Sequence, residues 1–128
     1  MKVLLDTHLL LWAAGSPQRL PKAALSILRA RSNTLLFSAA SVWEVVIKIG
    51  LGRSDLQVDA QQLRQGLLLH GYEELPITGE HAIAVRALPS LHKDPFDRIL
   101  LAQAQTEGLT LLTVDRELAA YGPPCKLV

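Results

Sequence analysis

Short apolar runs alternate with longer helical patterns along the chain. Val3 to Leu5 and Leu109 to Val114 are apolar at nearly every position, which is typical of strands buried on both faces of a sheet. Shorter candidate strands are Thr34 to Phe37, Tyr72 to Leu75 and Lys126 to Val128. Strands that alternate with helices indicate a parallel sheet between two helical layers. The sequence therefore predicts a three-layer α/β/α fold, one domain over residues 1–128, with about five parallel strands.

Capping residues and glycines delimit the predicted helices. Thr7 is a candidate N-cap for a first helix that Gly15 ends. Asp94 is a candidate N-cap for a helix to Glu107 that Gly108 ends. The remaining predicted helical segments are Pro21 to Arg31, Ser38 or Ser41 to Ile49, Asp59 to Leu69, Thr78 to Ala87 and Asp115 to Ala120. No repeat or linker interrupts this order, so a second domain is not expected.

Carboxylates follow two predicted strands at the point where each strand ends. Asp6 comes directly after the first strand, and Asp115 comes directly after Leu109 to Val114. Ligands of open parallel sheets bind in the crevice at the carboxyl ends of the strands. Either acid alone is explained equally well as the cap of the following helix. Recurrence at two strand ends favours a binding site.

Glu44 is an acid on a helix that is apolar on most sides. A carboxylate on a covered helix needs a partner, because burying an unpaired charge is costly. Two structural alternatives stay open. Ser41 to Glu44 fits a capping box, and Glu44 with Lys48 fits an ordinary i,i+4 ion pair.

Asp97 lies in the predicted first turn of the helix that Asp94 caps. It heads an apolar stripe with Leu100 and Leu101, so it faces inward and needs a cation. The alternative is that an acid at this position complements the helix dipole. Asp94 itself is explained by capping alone.

Four carboxylates in one place need a counter-charge, because each raises the pKa of the others. Mg²⁺ or Mn²⁺ supplies it, since both ions prefer oxygen ligands and are often held together with substrate phosphate. Such a site activates water for attack on a phosphodiester. The four histidines share no ligand spacing and are interpreted as surface or structural residues: His8, His70, His81 and His92.

Composition indicates the compartment and the kind of partner. The single Cys125 excludes an internal disulfide, which favours the cytoplasm. Asp6 and His8 interrupt the N-terminal apolar run, so neither a secretory signal nor a membrane span is expected. If five of the 12 acids gathered at one site, seven would remain against 13 Lys and Arg residues. The remaining basic surface would suit a partner that carries phosphates.

Four segments spread over nearly the whole chain carry a more specific signal: Leu4-Leu5-Asp6-Thr7-His8, Ser41-Val42-Trp43-Glu44, His92-Lys93-Asp94-Pro95-Phe96-Asp97-Arg98 and Leu112-Thr113-Val114-Asp115. Together they resemble the motifs of PIN-domain ribonucleases of the VapC toxin type. The resemblance implies an endoribonuclease dependent on Mg²⁺ or Mn²⁺, with metal-binding acids at Asp6, Glu44, Asp97 and Asp115. It implies hydrogen-bond support from Thr7, Ser38 and Thr113. It also implies a cognate antitoxin and a homodimer.

Basic residues near the acids are candidate RNA contacts. Arg98 and Arg116 each adjoin a predicted metal ligand, and Lys93 and Arg53 are further candidates. Two apolar helical stretches are candidates for the dimer surface, and the sequence does not choose between them: Leu25 to Leu28 and Leu63 to Leu69.

Other phosphate-handling folds lack their motifs here. There is no G-x-x-x-x-G-K-[ST] loop, and His8 stands where a haloacid-dehalogenase-like phosphatase has its second Asp. The alternative function is a non-catalytic Mg²⁺-binding signalling module resembling a receiver domain, or an interaction protein whose acids only cap helices.

Overall fold

The computed structural model describes residues 1–50 and 58–128. At its centre lies a five-stranded sheet with the strand order β3-β2-β1-β4-β5, in which every pairing is parallel. The strands are β1 (Lys2–Leu5), β2 (Thr34–Ser38), β3 (Glu73–Leu75), β4 (Thr110–Thr113) and β5 (Cys125–Leu127). The predicted parallel sheet is confirmed, and β1 is its central strand.

Helices occupy the segments between the strands. Those in the described residues are α1 (Thr7–Gly15), α2 (Lys22–Arg29), α3 (Ala39–Gly50), α4 (Ala60–Leu69), α5 (Gly79–Ala84), α6 (Pro95–Glu107) and α7 (Arg116–Ala119). Single 3-10 turns cover Pro17–Arg19 and Val85–Ala87. None of the helices in the described ranges has the length and apolar character needed to cross a bilayer.

Two apolar cores, one on each face of the sheet, hold the layers together. Val3 and Leu5 join Leu112 in a core that α1, α2 and α4 cover. Leu4 and Leu111 lie in a second core against α6. Because successive side chains of a strand point to opposite faces, a strand between two cores must be apolar at every position. The three apolar residues of β1 are all fully buried, as their uninterrupted run predicts.

One predicted helix cap is wrong by one residue, and for another helix the structure decides between the two predicted starts. Asp6, not Thr7, is the N-cap of α1, because its extended backbone lets Oδ1 accept from the N–H of Leu9 at 2.9 Å. Helix α3 begins at Ala39, so Ser41 lies inside its first turn and the predicted capping box with Glu44 does not form. Ser38 caps this helix instead. Its Oγ accepts from the N–H of Ala40 at 3.0 Å.

Helix α6 has the boundaries that its local sequence predicts. Asp94 Oδ1 accepts from the N–H of Phe96 at 2.8 Å and from that of Asp97 at 3.4 Å. Gly108 ends the helix in the left-handed conformation, with φ of 69°. The cap therefore fixes the first turn of α6, which carries Asp97.

Replacing glycine by alanine should have opposite effects on stability at two positions of this fold. Gly108→Ala should lower the free energy of unfolding by about 1 kcal/mol, because a side chain is strained at this φ. Gly66 lies inside α4 with open space beside it, so Gly66→Ala should raise the free energy of unfolding by about 1 kcal/mol. Urea denaturation measures both. Changes of the same sign would contradict the assigned backbone conformations.

Candidate active site

Asp6 lies at the carboxyl end of the central strand and is only 3% exposed. Thr113 Oγ1 donates to its Oδ2 at 2.6 Å, and the N–H of Val114 donates to the same oxygen at 3.3 Å. Burial nonetheless raises the pKa of Asp6, since the hydrogen bonds and the charge of His8 only partly oppose the loss of hydration. No cation forms an ion pair with Asp6 within the described ranges. The carboxylate is therefore fixed in orientation but has no ion-pair partner among the described residues.

Glu44 reaches the same edge of the sheet from α3 and is also 3% exposed. Thr7 Oγ1 donates to Glu44 Oε1 at 2.6 Å and lies 2.9 Å from Ser41 Oγ. Glu44 Oε2 pairs with the ammonium of Lys48, one helical turn further on. The predicted i,i+4 pair is thus present, and its cation lies inside the site. Thr7 links the end of β1 to the carboxylate of α3.

Asp97 and Asp115 are bridged by the imidazole of His92. The Nε2 atom of His92 lies 2.9 Å from Asp97 Oδ2 and 3.0 Å from Asp115 Oδ2. Asp115 Oδ1 meanwhile accepts from the N–H of Glu117 at 2.9 Å and so caps α7. Burial of the ring opposes its charge, but the bond to Asp115 and the charges of Asp97, Asp115 and Glu117 outweigh burial and raise the pKa of His92.

The acids whose charges act on Asp97 come from different elements of the fold. Burial raises this pKa, the charges of Asp94, Glu44 and Asp6 raise it further, and His92 lowers it, with a result of about 7. Interactions between charges weaken with distance, so Asp6 and Glu44 must lie near Asp97. Asp115 joins this group through His92. The structure thus places Asp6 and Glu44 where their charges act on Asp97, and it joins Asp115 to Asp97 through His92.

This donor set fits a hard divalent cation. Carboxylate oxygens are the ligands that Mg²⁺ and Mn²⁺ prefer in proteins. A cation here would relieve the repulsion that raises the pKa of Asp97. Among the described residues, the group whose ligand atoms lie within 4.8 Å of one another is His92, Asp115 and Glu117, which contains one of the four acids.

The predicted supporting residues have different surroundings. Thr7 and Thr113 donate to Glu44 and Asp6, as their predicted role requires. Ser38 is fully buried, and its one hydrogen bond within the described part of the chain is the helix cap on α3. The serine that contacts Thr7 is Ser41, because it lies on the face of α3 that carries Glu44.

The predicted RNA contacts also differ in exposure. Arg116 and Lys93 are exposed near the acids. Arg98 directs its guanidinium into the protein, where it donates to backbone carbonyls and to Tyr121, so its charge is not presented to solvent in the way that the prediction assumed. Arg53 lies outside the described residues.

Two site residues were not recognised as such from the sequence. His92 was interpreted as a surface or structural residue, and Lys48 as an ordinary partner in an ion pair. A local signal for His92 exists: it precedes by two residues the cap of the helix that carries Asp97. Its contact with Asp115 depends on the path of a loop and has no local signal.

Asp97 should make the metal-free protein less stable as pH rises. Its pKa is about 7 in the folded state and about 4 in the unfolded chain, so stability is lost as pH rises through this window. We expect Asp97→Asn to raise the free energy of unfolding at pH 8 by about 1 to 3 kcal/mol and to have little effect at pH 4. Urea denaturation in EDTA measures this. Asp59→Asn is the control, because Asp59 caps α4 and Asn also caps helices; an equal gain of Asp97→Asn at both pH values would contradict the assignment.

Comparison with known proteins identifies a family that this chain matches. A family model described as PIN domain matches residues 3–122. The chain is 33% identical over 123 residues to Ribonuclease VapC22 of Mycobacterium tuberculosis, an alignment that covers 95% of this chain and 93% of the relative.

Solved structures share the fold over nearly the whole chain. The crystal structure of VapBC2 from Rickettsia felis bound to a DNA fragment from their promoter matches with a TM-score of 0.70 and 18% identity, covering 100% of this chain and 98% of the other. A toxin-antitoxin complex from Klebsiella pneumoniae matches with a TM-score of 0.64 and 23% identity, covering 97% and 95%. At these identities the likeness concerns the fold. The match over residues 3–122 and the 33% identity to a VapC ribonuclease show that the chain belongs to the PIN domain family.

Proposed function

We propose that this protein is a metal-dependent endoribonuclease that hydrolyses RNA phosphodiester bonds by attack of an activated water, and that it is the toxin of a toxin-antitoxin pair. The observation that carries the proposal is the convergence of buried acids at one sheet edge, where burial and neighbouring acids raise the pKa of Asp97 to about 7. Membership of the PIN domain family and the likeness to Ribonuclease VapC22 support RNA as the substrate.

The acids would hold Mg²⁺ or Mn²⁺ through Asp6, Glu44, Asp97 and Asp115. Such an ion lowers the pKa of a bound water and neutralises charge on the phosphate. The protein contributes fixed ligands: the hydroxyl of Thr113 orients Asp6, and the hydroxyl of Thr7 orients Glu44. Ligands held by such outer hydrogen bonds need no reorganisation when the substrate binds.

Removing either central acid should abolish most of the cleavage. We expect Asp6→Asn and Asp97→Asn each to reduce Mg²⁺-dependent or Mn²⁺-dependent cleavage of RNA by about 100-fold or more, because each removes a charged ligand. Gel analysis of cleavage products of total cellular RNA, with EDTA as the metal-free reference, measures the loss.

Asp59→Asn is the matched control, because Asp59 caps α4, and Asn keeps the cap. Cleavage that persisted undiminished in both site variants would contradict the proposal. It would leave the non-catalytic metal-binding module as the better account.

We propose that Lys93 and Arg116 neutralise phosphates of the bound RNA. Both are exposed, and both adjoin site elements: Arg116 follows Asp115, and Lys93 follows His92. Contacts of this kind set the position of the RNA backbone and carry no sequence information. The predicted role of Arg53 remains a proposal, and Arg98 is the weakest of the four candidates because its donors are already engaged.

A salt titration tests these two contacts. In the Asp97→Asn background, Lys93→Ala and Arg116→Ala should each reduce the slope of log affinity against log salt by about 0.7, the value for one phosphate contact on a single strand. Fluorescence anisotropy of a labelled RNA measures the affinity. Arg64→Ala is the control, since Arg64 on α4 forms an ion pair with Glu74 on β3. An unchanged slope in both site variants would exclude them from the phosphate contacts.

An antitoxin protein is the proposed neutralising partner. The structural neighbour from Klebsiella pneumoniae is described as a toxin-antitoxin complex, which supports this proposal. The free Cys125 is consistent with the reducing cytoplasm, which we propose as the compartment in which the two proteins meet.

We further propose a homodimer, on a face that the sequence did not indicate. Trp43, Val46 and Ile83 are 57%, 53% and 59% exposed, and Trp43 lines an apolar cavity of about 480 Å³ between α3, α5 and the start of α6. A group of exposed apolar side chains marks an interaction surface, and in a symmetric dimer the same surface serves both copies. In the expected stretch Leu63 to Leu69, Leu63 and Leu67 are buried in the core, whereas Leu68 and Leu69 are 41% and 85% exposed, so this stretch stays a candidate.

A further inference from the structure

The segment between α5 and α6 is fastened to the protein by the guanidinium of Arg98. Its Nη1 donates to Pro89 O at 3.0 Å and to His92 O at 3.4 Å. Its Nη2 donates to Val85 O at 3.3 Å and to Leu88 O at 3.5 Å. One side chain thus serves four carbonyl groups of a single segment. A planar fork of donors makes this possible, and a lysine could not reproduce it.

Tyr121 fastens the same segment from the other side of the site. Its hydroxyl donates to Pro89 O at 2.7 Å, accepts from the N–H of His92 at 3.1 Å and accepts from Arg98 Nη1 at 3.0 Å. Tyr121 lies two residues beyond α7, the helix that Asp115 caps. The hydroxyl therefore ties the segment before α6 to the element that presents Asp115.

His92 is consequently held at both of its backbone polar groups. Its N–H is bound by Tyr121, and its carbonyl is bound by Arg98. The ring that these bonds position lies within 3.0 Å of both Asp97 Oδ2 and Asp115 Oδ2. Since His92 bridges one acid on α6 and one acid after β4, the position of its ring fixes how far apart the two carboxylates are held.

We propose that Arg98 and Tyr121 are positioning residues of the active site: by fastening His92, they hold Asp97 and Asp115 at a separation that one divalent cation can share. This inference rests on the proposed function, because it assumes that the two acids bind a metal ion. In this inference Arg98 holds the backbone of His92 in place and does not contact RNA.

Mn²⁺ binding tests the inference without a catalytic readout. Electron paramagnetic resonance of free Mn²⁺ gives the affinity of each variant. We expect Tyr121→Phe and Arg98→Lys each to weaken Mn²⁺ binding by about 10-fold, the lower end of the effect of outer hydrogen bonds on metal sites. Tyr72→Phe is the matched control, because Tyr72 packs against the core on the opposite face from α6. Its hydroxyl forms no hydrogen bond with the rest of the described chain.

A double-mutant cycle separates positioning through His92 from a general effect on folding. In the His92→Ala background, Tyr121→Phe should weaken Mn²⁺ binding by less than about 2-fold, because the link has already been removed. A full 10-fold loss in that background would show that Tyr121 does not act through His92. A lower melting temperature with unchanged Mn²⁺ affinity would show a purely structural role. Either result would overturn the inference.

The two proposals fail in different ways. If the wild-type protein bound Mn²⁺ and Tyr121→Phe bound it equally well, only the positioning role would be lost. If the wild-type protein bound no Mn²⁺, both the proposed nuclease function and the positioning role would be contradicted. NMR of the imidazole nitrogens gives a second, metal-free measurement: the His92 resonances should shift in Tyr121→Phe and stay in place in Tyr72→Phe, and unshifted resonances would overturn the inference.

Discussion

The cost of burying like charges beside one another is the constraint on which this site depends. Asp6 has lost nearly all contact with water, and Asp97 has a pKa of about 7 because burial and the charges of its neighbours disfavour its ionised form. The fold offsets part of this cost with the hydroxyl of Thr113, the ammonium of Lys48 and the imidazole of His92. The part that remains is what a divalent cation can relieve.

The order of the strands explains why residues far apart in the sequence meet here. Strand β1 lies between β2 and β4, and all three run parallel, so their carboxyl ends share one edge. Asp6 follows β1 and Asp115 follows β4, while α3 starts directly after β2 and carries Glu44 back to the same edge. Thr113 and Asp6 are 107 residues apart and nevertheless form a hydrogen bond of 2.6 Å. A parallel sheet makes this contact a consequence of topology.

The sequence predicts the parts of this arrangement that depend on local chemistry. The apolar run before Asp6, the cap at Asp94 and the glycine at Gly108 each act within a few residues, and each is where the pattern indicates. For Asp6, the sequence offers helix capping and a place in the site as two alternatives. In the structure, the one residue does both. Its Oδ1 serves the helix, and its Oδ2 faces Thr113. The sequence pattern cannot predict that the two oxygens of one carboxylate have different partners.

What the sequence could not give is the role of groups that act through tertiary contacts. His92 and Arg98 lie in one motif with Asp97, yet the imidazole turns toward the acids and the guanidinium turns away from them. The hydroxyl of Tyr121, 23 residues beyond Arg98, accepts a hydrogen bond from the guanidinium and so helps to hold it in this direction. Within the described ranges, Glu44 has Lys48, and Asp97 and Asp115 share His92, whereas Asp6 has hydrogen bonds and no cation. Among the described residues, Asp6 is therefore the acid at which an added cation would meet no existing ion pair.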